Sequence, residues 1–257
     1  MPEFCEVERD GHLLVVTIAR PEVRNAIHPP ASYELAEIFD GFAADPELWV
    51  AIVTGKGDQA FCAGNDLKYQ AAGGKLEWPA SGFGGITSRF DLAKPVIAAV
   101  NGLAMGGGFE IVLACDIAVA AENAVFALPE PRVGLAALAG GMQRLPRQIP
   151  LKHAMGMLLT GRRVSAEEGL RLGFVNEVVP AGQALAGARR WAEAILECSP
   201  VSVRTTKTVA LQSLAHASLE EALRARYDAV AELVRSADFV EGPRAFAEKR
   251  KPRWTGR

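Results

Sequence analysis

One long apolar stretch, residues 95–121, limits most strongly what this chain can fold into. It is interrupted by the run Gly106-Gly107-Gly108 and it carries Asn101, Glu110 and Asp116. A membrane span of about 20 apolar residues avoids carboxylates near its centre. The stretch therefore predicts a buried strand, a glycine turn and a buried helix within a soluble domain, and we expect no membrane partner.

The rest of the first two thirds of the chain predicts an α/β fold. Short apolar runs at residues 12–18, 49–54 and 96–100 have the length and composition of buried strands. Residues 35–42 place four apolar side chains at i, i+3, i+4 and i+7, with acidic residues off that stripe, which predicts an amphipathic helix. Strands and helices alternate in this way to about residue 180.

Two other segments have a different character. Residues 71–85 are rich in glycine and contain Pro79, so they predict a flexible loop. Apolar residues from Leu219 to Val234 form one helical stripe opposite charged residues. Three or more helices after about residue 181 are suited to packing on the core or on a partner subunit.

Charge and cysteine content exclude several classes of function. The 28 Lys and Arg residues are balanced by 30 Asp and Glu residues, which opposes a nucleic-acid partner. The four cysteines stand alone and no apolar leader precedes the domain, so we expect a reduced, cytoplasmic protein. The four histidines are scattered without a zinc-binding motif, and no metal site is predicted. A glycine motif at residues 55–60 imitates a dinucleotide fingerprint, but no apolar helix follows it.

Glu110 is the first candidate for acid–base chemistry. The glycine run ends a strand and begins a helix, where free N–H groups and the positive end of the helix dipole favour an oxyanion. Glu110 follows Gly107 by one turn, about 4.5 Å along the helix axis. Its neighbours are apolar on every side, which predicts a buried carboxylate instead of one on a solvated face.

Glu130 is the second candidate. It lies between Pro129 and Pro131, so its backbone is restricted. Alone it would be interpreted as an exposed carboxylate in a turn. A second carboxylate beside Glu110 would make paired acid–base chemistry possible.

Several short motifs, in order along almost the whole chain, resemble the crotonase (enoyl-CoA hydratase/isomerase) family. The family's two backbone motifs look like residues 63–67, Ala-Gly-Asn-Asp-Leu, and residues 106–110, Gly-Gly-Gly-Phe-Glu. The resemblance implies a crotonase-type spiral of ββα units in residues 1–198, the acyl-CoA-binding core domain. It also implies that residues 199–257 form a helical oligomerisation region that makes homotrimers, often paired into homohexamers. Further matching pieces are Arg20-Pro21, Asn25-Ala26, residues 94–102, Cys115-Asp116, residues 126–130, Gly140-Gly141, Gln143-Arg144-Leu145, Thr160-Gly161 and residues 245–250.

The resemblance also implies a substrate and the residues that hold it. The substrate is an acyl-CoA thioester, so coenzyme A enters as part of the substrate, and no other cofactor is implied. The family's oxyanion-hole donors map onto the backbone N–H groups of Asn65 and Gly107, and its hydratase glutamates map onto Glu110 and Glu130. Lys249 looks like the lysine that reaches the CoA phosphate from a neighbouring subunit. Further substrate-contacting positions map onto Val23, Arg24, Ala26, Ala63, Asp66, Leu67, Lys68, Gly106, Pro129 and Leu138.

Two glutamates favour a hydratase, since family members that keep only the one at position 130 are often double-bond isomerases. Among hydratases the chain resembles the crotonobetainyl-CoA hydratase (carnitinyl-CoA dehydratase) subgroup, through pieces such as residues 85–87 and 254–257. One departure is Ala137-Leu138, where the family usually has Pro followed by Gly or Asp. Leu138 predicts a more apolar acyl pocket, and this opposes a cationic acyl group.

Other functions of the same fold stay open at this point. An isomerase, a decarboxylase or a thioesterase would use the same oxyanion site, and the product distinguishes them. A non-enzymatic RNA-binding relative needs a lysine-rich first helix. Residues 31–45 contain no Lys or Arg, so electrostatics oppose that alternative.

Overall fold

Three successive strand pairs, at residues 50–62, 96–105 and 117–127, each contribute their first strand to a six-stranded sheet and their second strand to a four-stranded sheet. This arrangement is seen in a computed structural model that describes residues 2–75 and 77–257. It winds the chain into a spiral of strand–strand–helix units, and the predicted α/β fold class is confirmed. The strands are β1 (Cys5–Asp10), β2 (Leu13–Ile18), β3 (Val50–Gly55), β4 (Ala60–Cys62), β5 (Val96–Val100), β6 (Leu103–Met105), β7 (Ile117–Ala121), β8 (Val125–Ala127), β9 (Val164–Ser165) and β10 (Glu177–Val179).

The larger sheet has the order β1-β2-β3-β5-β7-β10 and is parallel except for the β1–β2 pair. Every residue of β3 and β5 is buried, because both faces of the sheet are covered. That burial explains why these strands are continuous apolar runs, and the three predicted strands are confirmed as β2, β3 and β5. The edge strand β1 was not predicted, since only Cys5 in it is buried.

The smaller sheet has the order β4-β6-β8-β9. Its strands are two or three residues long, too short to give a periodic pattern. β4, β6 and β8 run parallel, so the turns that follow them gather at one edge of the sheet.

The helices cover the sheets and form the C-terminal region. The predicted amphipathic helix is confirmed as α1, whose Leu35, Phe39 and Phe42 are buried. Three short 3₁₀ turns lie at Pro21–Val23, Phe83–Gly85 and Glu130–Val133. The α-helices are α1 (Pro29–Ala44), α2 (Leu67–Ala71), α3 (Gly107–Ala114), α4 (Gly141–Gln148), α5 (Leu151–Thr160), α6 (Ala166–Leu172), α7 (Ala184–Leu196), α8 (Pro200–Ser213), α9 (Leu219–Arg224), α10 (Asp228–Arg235) and α11 (Ala237–Ala247).

The apolar stretch at residues 95–121 forms β5, β6, α3 and β7 in the interior. Residues 107–113 of α3 are all buried, as predicted for a helix that is apolar on every side. Within residues 2–75 and 77–257, no helix has both the length and the apolar character needed to cross a membrane.

The prediction of one helical stripe from Leu219 to Val234 was wrong. Helix α9 ends at Arg224, and Tyr227 is extended, with φ −118° and ψ 117°. Its hydroxyl donates to the carbonyl of Ala222 at 2.8 Å. Leu219 and Leu223 are 76% and 77% exposed, so no packing on this chain's core supports a continuous helix.

The segment at residues 71–85, predicted to be a flexible loop, packs into the interior at its C-terminal end. Its last three residues, Phe83–Gly85, form a buried turn against α1 and α3. The ring of Trp78 packs edge-on against that of Phe83, with 5.0 Å between centroids. The end of this segment therefore belongs to the packed interior.

Candidate active site

A pocket of about 220 Å³ opens beside the first turn of α3. Two glutamates, two glycines and the turn after β4 line one side of it, and apolar side chains line the other. The lining residues are Ala63, Gly64, Asn65, Leu67, Gln70, Trp78, Phe83, Gly106, Gly107, Glu110, Pro129, Glu130, Val133, Leu135, Ala136, Leu138 and Ala139.

The first N–H group that faces this pocket belongs to Gly107. Gly107 is the first residue of α3, and the first N–H groups of a helix have no acceptor within the helix. Phe83 packs on Gly107 so closely that a Cβ there would lie 2.5 Å from its ring. The helix dipole adds partial positive charge at this end of α3.

The second N–H group belongs to Asn65, in the turn after β4. Its neighbours bond to a parallel segment: Ile27 donates to the Gly64 carbonyl at 2.8 Å, and Asp66 donates to the Ile27 carbonyl at 3.0 Å. In this pairing the N–H of Asn65 points to the opposite side, toward the pocket. A Cβ on Gly64 would lie 3.2 Å from the Gly107 nitrogen, so the turn that contains Asn65 lies against the first residue of α3.

Glu110 lies one turn into α3 and is 3% exposed. Its Oε1 accepts a hydrogen bond from the Gly141 N–H at 2.8 Å. Burial raises the pKa of Glu110 from its ordinary value of 4.5 to about 7, and the nearby charge of Glu130 acts in the same direction. The N–H groups of Gly141 and Ala139 and the charge of Arg144 lower that pKa.

Glu130 begins the 3₁₀ turn after β8. It is partly buried, and its Oε2 has no hydrogen-bond partner among the described residues. Its Oε1 lies close to the glycine turn, 2.8 Å from where a Cβ of Gly106 would stand. Burial raises the pKa of Glu130, while its own backbone N–H lowers it.

This arrangement suits proton transfer next to a developing oxyanion. The pKa of each carboxyl is raised, so both ionise with difficulty. Because the charge of Glu130 also raises the pKa of Glu110, the two titrations are coupled. Backbone N–H groups held at fixed positions beside a pocket can stabilise negative charge without reorganising when the charge forms.

The predicted residues separate into those at the pocket and those beside it. The loop of Val23, Arg24 and Ala26 does not line the pocket but lies alongside it, because the Ala63 N–H donates to the Arg24 carbonyl at 3.1 Å. The residues at the pocket are Ala63, Asn65, Leu67, Gly106, Gly107, Glu110, Pro129, Glu130 and Leu138.

Three other predicted positions lie outside the pocket lining. The Asp66 carboxylate begins α2, accepts from the Tyr69 N–H at 3.2 Å and pairs with Arg20 at 3.1 Å. Lys68 is exposed on α2, and Lys249 is exposed after α11 with a left-handed φ of 54°. Leu138, in contrast, does line the pocket, and it is 78% exposed at the pocket mouth.

Sequence reasoning missed the partners of Glu110 and the pocket's aromatic wall. Gly141 was seen only as part of a motif, and Arg144 was given no role. Both lie more than 30 residues from Glu110, so no local periodicity connects them. Trp78 and Phe83 lie in the glycine-rich segment at residues 71–85, which has no periodic pattern that would place them at a pocket.

Comparison with known proteins identifies the relatives of this chain. Residues 8–257 match the family model described as enoyl-CoA hydratase/isomerase. A carnitinyl-CoA dehydratase of Proteus mirabilis is 44% identical, and the match covers 100% of both chains. An enoyl-CoA hydratase of Mycobacterium tuberculosis superposes with a TM-score of 0.93 at 40% identity, covering 99% of each chain. A carnitinyl-CoA hydratase of Mycobacterium avium superposes with a TM-score of 0.79 at 41% identity, covering 100% of each chain.

Proposed function

Since this chain belongs to the enoyl-CoA hydratase/isomerase family, we propose that it is a hydro-lyase that adds water across the 2,3 double bond of a 2-enoyl-CoA thioester. The observation that carries this proposal is the meeting of Glu110, Glu130 and two free N–H groups in one pocket. The reaction is reversible, so the same site dehydrates a 3-hydroxyacyl-CoA.

Stabilisation of the enolate is the first task of the site. Attack of water at C3 moves negative charge onto the thioester oxygen. The N–H groups of Asn65 and Gly107 are the proposed donors to that oxygen, each contributing ~3 kcal/mol to the transition state. Their fixed backbone positions mean that no reorganisation is needed as the charge forms.

Proton transfer is the second task, and two carboxyls divide it. One takes a proton from the attacking water, and the other holds the same water and supplies a proton to C2. Glu130 has an oxygen without a hydrogen-bond partner among the described residues, whereas Glu110 is held by the Gly141 N–H. The pKa of Glu110, raised to about 7, suits a carboxyl that exchanges a proton near neutral pH, and burial raises the pKa of Glu130 as well.

The remaining contacts complete the proposal. Coenzyme A is part of the substrate and no further cofactor is proposed. Its nucleotide end would lie along the loop of Val23, Arg24 and Ala26 and near Lys68, since this loop borders the turn that contains Asn65. Lys249 would reach the CoA phosphate from a neighbouring subunit of a homotrimer or homohexamer built through residues 199–257. We propose that the enzyme acts in the cytoplasm and has no nucleic-acid partner.

Two acyl classes compete for this pocket. Relatives named carnitinyl-CoA dehydratase favour a trimethylammonium group on the acyl chain. The aromatic pair Trp78 and Phe83 and the carboxylate of Glu130 would attract such a cation. Val133, Leu135 and Leu138 favour a neutral aliphatic chain.

The test follows the absorbance of the conjugated thioester with crotonyl-CoA and crotonobetainyl-CoA, together with identification of the products. The proposal predicts a 3-hydroxyacyl-CoA from at least one substrate, and the faster substrate defines the acyl class. The matched control is Glu167→Gln, an exposed glutamate on α6, which should keep full activity. Binding of both thioesters without turnover, or free carboxylic acid as the product, contradicts the hydratase proposal.

A double-bond isomerase is the second candidate, because one glutamate at position 130 is enough to move a proton between carbons. A 3-enoyl-CoA substrate distinguishes it. Formation of 2-enoyl-CoA that is faster than hydration, and insensitive to Glu110→Gln, would establish the isomerase instead.

A further inference from the structure

The guanidinium group of Arg144 lies behind Glu110 and has no role in the proposed chemistry. Arg144 is on α4, one turn after Gly141, and is largely screened from solvent. Its Nη2 donates to the carbonyl of Thr87 at 2.9 Å, and Thr87 is itself buried. A partly buried guanidinium that bonds to a carbonyl instead of a carboxylate calls for an explanation, because burying a charge is costly.

The backbone around Arg144 connects it to Glu110. Gly140 has a left-handed φ of 104° and precedes the Gly141 N–H that donates to Glu110. The Arg144 N–H donates to the Gly140 carbonyl at 2.8 Å, and Nη1 of Arg144 lies directly against Gly140, where a Cβ would stand. Arg144 thus contacts the turn from behind and anchors it to the segment that contains Thr87.

Among the described residues, Arg144 is the cation that lowers the pKa of Glu110. Glu130 faces Glu110 from the turn after β8, and Arg144 does so from α4. The strands β4, β5 and β6 and the turn at residues 83–85 pack on α3 without a charged side chain. The titratable groups nearby are Cys62, whose pKa burial raises to about 12, and Cys115, whose pKa burial also raises.

We propose that Arg144 is a positioning residue for Glu110, which fixes the Gly140-Gly141 turn through Thr87 and places one positive charge behind the carboxylate. This inference rests on the proposed function for its kinetic consequences. The positive charge favours the ionised form of Glu110, and the fixed turn keeps the Gly141 N–H on its oxygen. The charge of Arg144 thereby offsets part of the free-energy cost of burying an ionised Glu110.

Two substitutions separate the charge from the geometry. Arg144→Gln removes the charge and keeps an N–H donor, while Arg144→Lys keeps the charge and shortens the donor. Arg147→Gln is the matched control, since Arg147 is exposed on the same helix and its side chain donates to the Gln143 carbonyl. Circular dichroism and melting temperature check that each variant is folded.

The first readout is the titration of Glu110 by infrared spectroscopy, with its carboxyl band assigned by subtraction of Glu110→Gln. This readout needs no turnover, so it tests Arg144 even if the hydratase proposal fails. We expect Arg144→Gln to raise the pKa of Glu110, because a nearby cation is removed, while Arg144→Lys and Arg147→Gln leave it in place. An unchanged titration in Arg144→Gln overturns the role of the charge.

The second readout is the pH profile of kcat/KM with the better enoyl-CoA substrate. In Arg144→Gln the limb that Glu110 supplies should move to higher pH, and kcat should fall about tenfold with KM within about twofold. Arg144→Lys should keep the limb and lose part of kcat. Equal loss at every pH with an unmoved limb would show a merely structural role and overturn the proposal. If Arg144→Gln does not fold, the test uses Arg144→Lys alone. A kcat of Arg144→Lys within about twofold of wild type would then contradict the claim that Arg144 positions the turn.

Discussion

Glu110 and Glu130 face one pocket, yet the chain holds them in contrasting ways. Glu110 lies on a buried α-helix, is 3% exposed and is fixed by a backbone N–H. Glu130 lies on a short 3₁₀ turn between two prolines and is partly buried, and its Oε2 has no hydrogen-bond partner within residues 2–75 and 77–257. The difference shows how one residue type is held in two ways: a carboxyl fixed by a backbone N–H on a helix, and a carboxyl on a turn with a buried oxygen that lacks a hydrogen-bond partner among the described residues.

The largest effect should come from removing either carboxyl. Glu110→Gln and Glu130→Gln should each lower kcat about a thousandfold, because each loses one proton-transfer step. The double variant should lose little more than either single one, since the two groups act as a unit. Rates with a 2-enoyl-CoA substrate measure this, and losses that multiply in the double variant would contradict a shared water.

Displacing the fixed glutamate should have the next largest effect. A Cβ in Gly141→Ala would lie 3.1 Å from Glu110 Oε1 and 2.9 Å from the Ala137 Cβ. We expect kcat to fall between about tenfold and a hundredfold, because Glu110 moves away from the reacting atoms. Gly156→Ala on α5 is the matched control, since a Cβ there meets nothing within 4 Å. Equal activity of the two variants would show that the position of Glu110 is not critical.

The two glutamates should also differ in their effect on stability. Because the pKa of Glu110 is raised to about 7 in the folded state, the protonated form stabilises the fold below pH 4.5, and that stability is lost as pH rises toward 7. Glu110→Gln should therefore be more stable than wild type at pH 8, by on the order of 2 kcal/mol in the free energy of unfolding, and similar to it at pH 4. Glu130→Gln should show a smaller gain.

Urea unfolding of the three proteins at pH 4 and pH 8 measures this difference. A Glu110→Gln variant that is destabilised at pH 8 would contradict a buried carboxyl of raised pKa. Its matched control is Glu167→Gln, which should unfold like wild type at both pH values.

The smallest effect should come from a third carboxylate at the pocket mouth. Leu138→Asp adds a charge at an exposed position, where water and salt screen it. We expect turnover of crotonyl-CoA to fall less than about tenfold, and the preference for a cationic acyl group to rise about fivefold, roughly 1 kcal/mol. Competition between crotonyl-CoA and crotonobetainyl-CoA measures the preference, and an unchanged ratio would place Leu138 away from the acyl group.

The sequence predicts the burial of Glu110 much better than it predicts the burial of Glu130. An all-apolar helix after a glycine run specifies burial locally, and α3 shows it. The turn of Glu130 gives no such local pattern, so its partial burial beside the pocket depends on the pairing of β6 with β8. The donors to Glu110 at Gly141 and the guanidinium of Arg144 also depend on packing between distant segments. The break before Tyr227 was missed because apolar periodicity does not report whether a partner surface is present.

The most direct test of the two-glutamate account uses crotonyl-CoA in water enriched in oxygen-18 and deuterium. The measurement is where label from the water enters the product. The account predicts a 3-hydroxyacyl-CoA with one oxygen-18 at C3 and one deuterium at C2, formed by wild type and reduced about a thousandfold in both Glu→Gln variants. Deuterium incorporation without oxygen-18, or oxygen-18 in a released carboxylic acid, would contradict it.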